Sequence, residues 1–321
     1  MAVSFHSVWA LLSAGLFALA AHSSGRAAVA QSRQGADAGA PQAAGLADVE
    51  PSIVGKPREA RPGEQEAVVF LQFLNYTSDG RSKLCTGTLI SRRTILTAGH
   101  CLFNKNSAYS KKDYAEHPDE IVVWTGVVIG KDLDPDDPRS GKILVKGAQA
   151  AKWHPRWQGG GSWDALDMGL ILLPAGVADH IQPYRIARGA PEAGQKGLVV
   201  GYGSTGQGKG IAKNIGNTRA RGVNDRIIAI GGESSICTGD SGGPLLIESA
   251  GVWEVAGTAS RTTFDCDPGS GSMTRVDSQA QWIDGVASEW EKAAGPGAGA
   301  GRAIPGREAF ADWLLREIAR F

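Results

Sequence analysis

Short runs of apolar and β-branched residues, separated by glycine, proline and aspartate, recur along the chain from residue 68 onward. Runs of this length, bounded by turn-forming residues, are typical of strands in all-β barrels and sandwiches. The runs lie at residues 68–71, 87–90, 121–124, 143–145, 170–173, 198–200, 227–230, 245–247 and 252–255. The pattern therefore predicts a strand-rich domain without long helices in this part of the chain.

Helical periodicity appears only near the C-terminus. Residues 277–290 are expected to form a helix capped by Asp277 or Ser278. Its apolar face would comprise Trp282, Ile283, Val286 and Trp290. After a glycine- and alanine-rich linker at 291–304, the periodic segment 305–321 predicts an appended amphipathic helix. That helix either folds back on its own domain or docks on a partner or a surface.

The N-terminal segment differs in composition from the strand-rich part. Residues 8–21 form an apolar run that small residues follow, which predicts a secretory signal peptide over residues 1–30. An uncleaved membrane anchor is the alternative, although the chain has no apolar stretch of about 20 residues. Residues 31–52 are rich in Ala, Gly, Gln and Ser without periodicity, so they predict a flexible leader or propeptide. We expect a secreted or periplasmic protein whose folded domain covers residues 53–290.

The charges of the chain are balanced. Lys plus Arg equals Asp plus Glu at 33 each, which gives a formal net charge of +0. Such a balance creates no field that attracts nucleic acid or an anionic membrane surface. We therefore expect no nucleic-acid partner and no stable membrane span.

A glycine-rich turn at residues 237–245 surrounds a serine, Ser241. Glycine next to a serine lets a reacting carbonyl approach the backbone closely. The N–H groups of Gly239 and Ser241 are then able to point at a developing oxyanion. The segment predicts a nucleophile turn, and an ordinary Gly/Asp/Ser turn between strands is the alternative.

Two upstream segments contain the residues that such a serine needs. His100 lies between an apolar run and Cys101, and a neutral imidazole takes a hydroxyl proton near pH 7. Asp167 directly precedes the apolar strand at residues 168–173, where burial suits an acid that orients an imidazole. Asp164 is the alternative acid.

Together these segments resemble the chymotrypsin family of serine endopeptidases. The motifs Thr-Ala-Gly-His-Cys, Asp-Met-Gly-Leu-Ile-Leu-Leu and Gly-Asp-Ser-Gly-Gly-Pro-Leu occur in the family's order, and the resemblance covers residues 53–290. It implies an all-β fold of two six-stranded antiparallel barrels with a C-terminal helix and an active site between the barrels. It also implies that Ser241 is the nucleophile, His100 the general acid and base, and Asp167 the orienting acid. Gly239 and Ser241 would form the oxyanion hole.

The resemblance extends to a supporting serine and to the cysteines. Ser260 matches the family serine that donates a hydrogen bond to the buried acid. The 4 cysteines permit three connectivities, and the family's spacing implies Cys85–Cys101 and Cys237–Cys266, with free buried thiols as the alternative. Such bridges imply an oxidising compartment. Because other disulfides of animal members are missing, the resemblance favours a bacterial-type member.

The stretch that begins at Ile53 resembles the family's activation site. Cutting before Ile53 would free an α-amino group that pairs with Asp240, next to the nucleophile, and this pair would order the oxyanion loop. Ser52 stands where an activating trypsin requires Lys or Arg, so the activator is open. The alternative is an ordinary first strand without processing.

Three residues of the resemblance bear on specificity. Ser235 stands where trypsins carry Asp, Thr262 stands where open pockets carry Gly, and Gly271 keeps the other wall small. They imply cleavage of polypeptides after small or medium uncharged residues. The function expected is that of a secreted serine endopeptidase acting through an acyl-enzyme. A catalytically silent binding or adhesion module with the same fold is the alternative.

Two other segments imitate cofactor sites. Residues 201–206 match a dinucleotide fingerprint, but glycines follow where a helix is needed, so a surface loop is expected. The acidic run at residues 132–137 lacks the loop glycine and terminal glutamate of a calcium loop. We therefore expect no cofactor and no catalytic metal, and leave a structural calcium at 132–137 as an alternative.

Overall fold

The computed structural model describes residues 53–105, 107–125, 143–159, 166–203, 212–263 and 266–294. Its strands are β1 (Val54–Gly55), β2 (Arg58–Glu59), β3 (Val68–Phe73), β4 (Lys83–Leu89), β5 (Thr94–Thr97), β6 (Ile121–Thr125), β7 (Ile143–Lys146), β8 (Ala150–Trp153), β9 (Gly169–Leu172), β10 (Arg185–Ile186), β11 (Lys196–Gly201), β12 (Asn214–Val223), β13 (Ile227–Gly231), β14 (Ser234–Ser235), β15 (Pro244–Ser249), β16 (Val252–Arg261) and β17 (Gly271–Arg275). Its helices are α1 (Gly99–Leu102) and α2 (Ala280–Ala294), with 3-10 turns at Pro118–Glu120 and Asp277–Gln279.

The first large sheet is an antiparallel half-barrel with the strand order β7-β6-β3-β4-β5-β9-β8. Its two edge strands, β7 and β8, are consecutive in the chain and separated only by residues 147–149. The sheet must therefore curl until its edges approach each other. The apolar side chains that fill it include Val69, Leu71, Leu89, Ile95 and Ile171.

The second large sheet closes on itself. Strands β16, β15, β11, β12, β13 and β17 pair in this order, and β17 pairs back to β16. Closure leaves no free edge in the ring, and its interior holds Val199, Ile228, Leu245, Ala259 and Met273. The predicted all-β, chymotrypsin-like fold is confirmed, as one closed six-stranded barrel, one half-barrel and a C-terminal helix.

A third apolar cluster joins the two sheets and the helix. It includes Val68 and Leu170 from the half-barrel, Leu246 from the barrel and Trp290 from α2. Each predicted apolar run lies in or overlaps a strand of the structure. The two-residue strands β1, β2, β10 and β14 and the longer strands β5, β8, β12 and β17 do not coincide with any run. Strand β12 was not predicted because its buried positions alternate with exposed polar ones and include a glycine and a threonine.

Helix α2 covers most of the segment predicted to be helical, and Ile283, Val286 and Trp290 are buried as expected. The predicted cap is wrong. Asp277 pairs with Arg275 and lies in a 3-10 turn, so that the α-helix begins at Ala280.

Other predicted segments lie outside the described residues: the signal peptide at 1–30, the leader at 31–52, the linker beyond 294 and the helix at 305–321. Within the described part of the chain, no helix has the length and apolar character needed to cross a bilayer.

Lys213, at the start of β12, is fully buried, which is unusual for a lysine. Its Nζ donates a hydrogen bond of 2.7 Å to the carbonyl oxygen of Gln65 and lies 5.4 Å from the centre of the Tyr202 ring. Burial lowers the pKa of Lys213 to about 7, against the opposing effect of the Glu66 and Glu64 charges. The buried amine therefore binds its proton less tightly in the folded chain than in the unfolded chain.

A lysine with a lowered folded-state pKa makes stability rise with pH between its folded and unfolded values, because the unfolded chain binds more protons there. The free energy of unfolding of the wild type, relative to that of Lys213→Met, should therefore rise between about pH 7 and about pH 10, by up to about 4 kcal/mol. Urea denaturation measures both values. The exposed Lys196, replaced by Met, is the control. A difference that is constant across this pH range would contradict the prediction.

Candidate active site

Asp167 is a carboxylate buried between the two sheets, with 2% of its surface exposed. One oxygen, Oδ1, accepts the backbone N–H of His100 at 2.7 Å. The other oxygen, Oδ2, lies 2.6 Å from Nδ1 of His100 and accepts the hydroxyl of Ser260 at 2.6 Å. The structure thus forms the predicted contacts of Asp167 with both His100 and Ser260.

These contacts keep Asp167 ionised. Burial alone would raise the pKa of Asp167, but the charge of His100 and the hydrogen bonds from His100 and Ser260 outweigh it, so the pKa lies below its ordinary value. An ionised carboxylate accepts a hydrogen bond from the Nδ1–H group and so favours the imidazole tautomer with a free Nε2 lone pair. Asp167 therefore fixes the orientation of the His100 ring.

Glycine and an aromatic cluster fix the short helix that carries His100. A Cβ on Gly99 would lie 3.0 Å from a ring carbon of Trp157 and 3.1 Å from the backbone of Met168, so only glycine fits this position without a shift. Trp157 meets Phe103 edge-on, with ring centres 6.5 Å apart. The predicted disulfide Cys85–Cys101 is formed and ties the residue after His100 to β4.

The turn that carries Ser241 is pressed against the half-barrel. Gly239 and Gly242 have φ values of 90° and 84°, which side chains rarely adopt. A Cβ on Gly242 would lie 2.1 Å from the Thr97 hydroxyl oxygen. The carbonyl oxygen of Ser241 accepts the N–H of Thr86 at 2.8 Å and lies 3.7 Å from the sulfur of Cys101. The peptide of Ser241 therefore lies beside the residue that follows His100.

The hydrogen bonds of this turn leave two N–H groups unused. The N–H groups of Asp240, Gly242 and Gly243 donate to backbone carbonyls at 2.8–3.1 Å. Those of Gly239 and Ser241, the predicted oxyanion hole, donate to none of the described residues. The Ser241 hydroxyl likewise makes no hydrogen bond within the described part of the chain, so it is not linked to His100 in this structure. Such links often form only when substrate is bound.

The predicted activation residues are both buried. Asp240 is 0% exposed, and its carboxylate accepts the N–H groups of Gly203 at 3.0 Å and Cys237 at 2.9 Å. Ile53 is 3% exposed and directly precedes β1, which pairs with β14. The residues that follow position 53 therefore lie against the second large sheet, because β1 pairs with β14 and β2 pairs with β12.

A family model described as "Trypsin" matches residues 54–283, which is more than half of the chain. The chain belongs to the trypsin family. The match covers the helix of His100, the loop of Asp167 and the turn of Ser241.

Several serine proteases are similar to the chain. It is 27% identical to snake venom serine protease nikobin of Vipera nikolskii over 55% of this chain and 66% of the relative. It is 28% identical to phenoloxidase-activating factor 1 of Holotrichia diomphalia over 63% of this chain and 61% of that protein. It is 26% identical to melanization protease 1 of Drosophila melanogaster over 67% of this chain and 61% of the relative. These are animal proteins, so they do not support the expected bacterial type.

The predicted pocket residues of this trypsin-family chain lie on neighbouring segments. A Cβ on Gly271 would lie 2.4 Å from the Ser235 hydroxyl oxygen, so these two residues are in contact. Thr262 directly follows β16, which pairs with β17, the strand that begins at Gly271. The predicted disulfide Cys237–Cys266 is formed close to both segments. The hydroxyls of Ser235 and Thr262 are buried and accept or donate no hydrogen bond among the described residues.

The expectations about cofactors have few structural counterparts. Cys85, His100 and Cys101 are the one group of ligand-type side chains that lie close together in the described ranges, and both cysteines are consumed by their disulfide. The acidic run at 132–137, the alternative acid Asp164 and residues 204–206 lie outside the described residues. The described part of the dinucleotide-like stretch holds Asp240 instead, through the N–H of Gly203.

Sequence analysis did not identify Thr86, which connects the half-barrel to the Ser241 turn. Its hydroxyl donates to the carbonyl oxygen of Gly239 at 3.0 Å and accepts the N–H of Tyr202 at 3.0 Å. Its own N–H binds the carbonyl of Ser241. Thr86 is 0% exposed, so no water replaces these partners. Its position after Cys85 was the only available signal.

Replacing Thr86 by the isosteric valine should remove the hydroxyl that binds the Gly239 carbonyl and the Tyr202 N–H in the protein interior. We expect Thr86→Val to lower the free energy of unfolding by about 2–4 kcal/mol, as measured by urea denaturation. Thr86→Ser keeps the hydroxyl and is the matched control. Equal stability of the two variants would contradict this role of Thr86.

Proposed function

We propose that the protein is a serine endopeptidase in which Ser241, His100 and Asp167 form the catalytic triad. The observation that carries this proposal is the buried, ionised Asp167, which orients His100 through two hydrogen bonds. The Ser241 turn lies against the half-barrel, and the N–H groups of Gly239 and Ser241 donate to none of the described residues. A binding module has no need of an imidazole held in a single tautomer.

In the proposed reaction, Nε2 of His100 takes the proton of the Ser241 hydroxyl as its oxygen attacks the substrate carbonyl. The N–H groups of Gly239 and Ser241 stabilise the oxyanion, and one such donor contributes about 10²–10³ in rate. His100 then gives the proton to the leaving amine, which leaves an acyl group on Ser241. Water, activated by His100, hydrolyses the acyl-enzyme. Asp167 and Ser260 hold the imidazole throughout.

An extended polypeptide fits beside the end of β16. Strand β15 pairs with β16 only as far as Pro244 opposite Thr258, so none of the described strands pairs with the edge of β16 beyond Ala259 on the side of the Ser241 turn. A substrate strand adds to such an edge through main-chain hydrogen bonds. This edge supports a polypeptide as the substrate.

The side chain before the scissile bond would enter the space next to Ser235, Thr262 and Gly271. No charged side chain belongs to this set, and Thr262 narrows it. Cleavage after small or medium uncharged residues is the specificity that this composition supports. The buried hydroxyls of Ser235 and Thr262 are also able to bind a polar substrate atom.

Maturation before Ile53 and secretion are further parts of the proposal. A new α-amino group at Ile53 would pair with the buried Asp240, whose carboxylate already holds the oxyanion loop through Gly203 and Cys237. An unprocessed first strand is the alternative. Two disulfides support an oxidising, secreted or periplasmic location.

A fluorophosphonate probe tests the proposed chemistry directly. The protein cut before Ile53 should be labelled on Ser241, and Ser241→Ala should abolish labelling and lower casein hydrolysis by about 10⁴-fold or more. The exposed Ser249, replaced by Ala, is the control and should change neither readout. The uncut chain should react more slowly than the cut one.

Absence of labelling and of hydrolysis in the cut wild type would overturn the protease proposal and favour a catalytically silent binding module. Equal rates for the cut and uncut chains would overturn the activation step alone.

A library of peptides that differ in the residue before the scissile bond tests the pocket. The wild type should prefer small and medium uncharged residues over Arg and Lys. Thr262→Gly removes one wall, so it should raise cleavage after large aromatic residues relative to alanine by roughly tenfold or more. Ser249→Ala again serves as the control. A wild-type preference for Arg or Lys, or an unchanged profile for Thr262→Gly, would contradict this specificity.

A further inference from the structure

Lys83, the first residue of β4, contacts the proposed catalytic base. Its ammonium group donates a hydrogen bond to the carbonyl oxygen of His100. The same Nζ lies 5.3 Å from the centre of the Tyr76 ring. None of the sequence motifs includes Lys83, and the steps proposed for the triad do not use it.

The helix that carries His100 needs such a donor. Helix α1 has only 4 residues, and the carbonyls at the end of a helix have no partner inside it. The N–H of Phe103 binds the carbonyl of Gly99, and Lys83 binds that of His100. His100 is therefore held at its N–H and Nδ1 by Asp167 and at its carbonyl by Lys83.

We propose that Lys83 is a positioning residue for the proposed hydrolysis, because its ammonium group fixes the peptide of His100 and with it the imidazole. The inference rests on the proposed function for its effect on rate. Its structural part, a charge-assisted bond to the His100 carbonyl, stands independently of that function. The bond joins an ammonium to a neutral carbonyl, and such bonds are stronger than neutral ones.

The groups around Lys83 determine when it carries its charge. The titratable and charged groups that face it are Asp167, His100 on α1 and Tyr76 after β3. Burial lowers the pKa of Lys83 to about 8, and the Asp167 carboxylate opposes this shift. The ammonium therefore loses its proton in a pH range in which hydrolysis is measurable, and the neutral amine is a weaker donor to His100.

The pH dependence of hydrolysis by the cut protein distinguishes positioning from simple packing. In the wild type, kcat/KM should fall at alkaline pH with a midpoint of about 8. Lys83→Arg keeps a charge that does not titrate in this range, so it should move the midpoint of that decline to higher pH and keep activity within about threefold. Lys83→Met should lower kcat by about tenfold at neutral pH with KM little changed.

Lys112→Met is the matched control, because Lys112, like Lys83, lies close to a tyrosine ring, 5.4 Å from its centre, but it pairs with Glu120 and does not contact His100. It should leave the pH profile unchanged. A midpoint that stays at about 8 in Lys83→Arg, or full activity of Lys83→Met, would overturn the positioning role.

Nuclear magnetic resonance tests the contact without any need for activity. The amide of Cys101 shares its peptide with the carbonyl of His100, so its ¹⁵N shift reports the bond from Lys83. In Ser241→Ala protein, this shift should titrate with a midpoint of about 8, and the titration should disappear when Lys83→Arg is added.

A Cys101 shift that ignores both pH and the Lys83 substitutions would overturn the structural part as well. Should the wild type hydrolyse nothing, the proposed function fails, and the Cys101 titration still decides whether Lys83 holds His100.

Discussion

The burial of one carboxylate between two sheets is the constraint on which the candidate site depends. Asp167 is held by His100 from the half-barrel and by Ser260 from the closed barrel, and its own carbonyl accepts the Thr274 hydroxyl at 3.3 Å. An ionised carboxylate without such donors would be expensive to bury. The imidazole orientation and the docking of the sheets are therefore stabilised by the same contacts.

The nucleophile turn depends on the same junction from the other side. Ser241 belongs to the chain of the closed barrel, but Thr86 of the half-barrel fixes its carbonyl and that of Gly239. Glycine at position 242 is required because the strands of the half-barrel approach so closely. His100 and the Ser241 turn are thus brought together by contacts that cross between the sheets, which explains why the candidate site lies where the sheets meet.

Sequence analysis found the residues whose chemistry is expressed in short local patterns. His100, Asp167 and Ser241 each lie in a segment whose glycines and apolar neighbours predict a turn or a strand end, and the family resemblance supplied their order. Thr86 and Lys83 were missed because their roles exist only through tertiary contacts. The partners Thr86 and Gly239 are 153 positions apart.

The fold was predictable to a similar extent. Continuous apolar runs identified the central strands, whereas β12 and β17 are built from small and polar residues that become strands only by pairing inside a closed ring. The half-barrel is not closed because its two edge strands, β7 and β8, do not pair with each other. The sequence of a single segment does not show which strands pair.

The two disulfides do not connect the two halves of the fold, so other contacts must align them. The chain has 4 cysteines, and both bridges stay within one half of the fold: Cys85–Cys101 in the half-barrel and Cys237–Cys266 beside the closed barrel. No disulfide therefore crosses between the sheet that carries His100 and the one that carries Ser241. Their alignment depends on the buried polar contacts of Asp167 and Thr86 and on the apolar cluster shared with α2. Because such contacts lose most of their strength when a single partner is removed, the polar junction controls the geometry of the site more directly than the disulfides do.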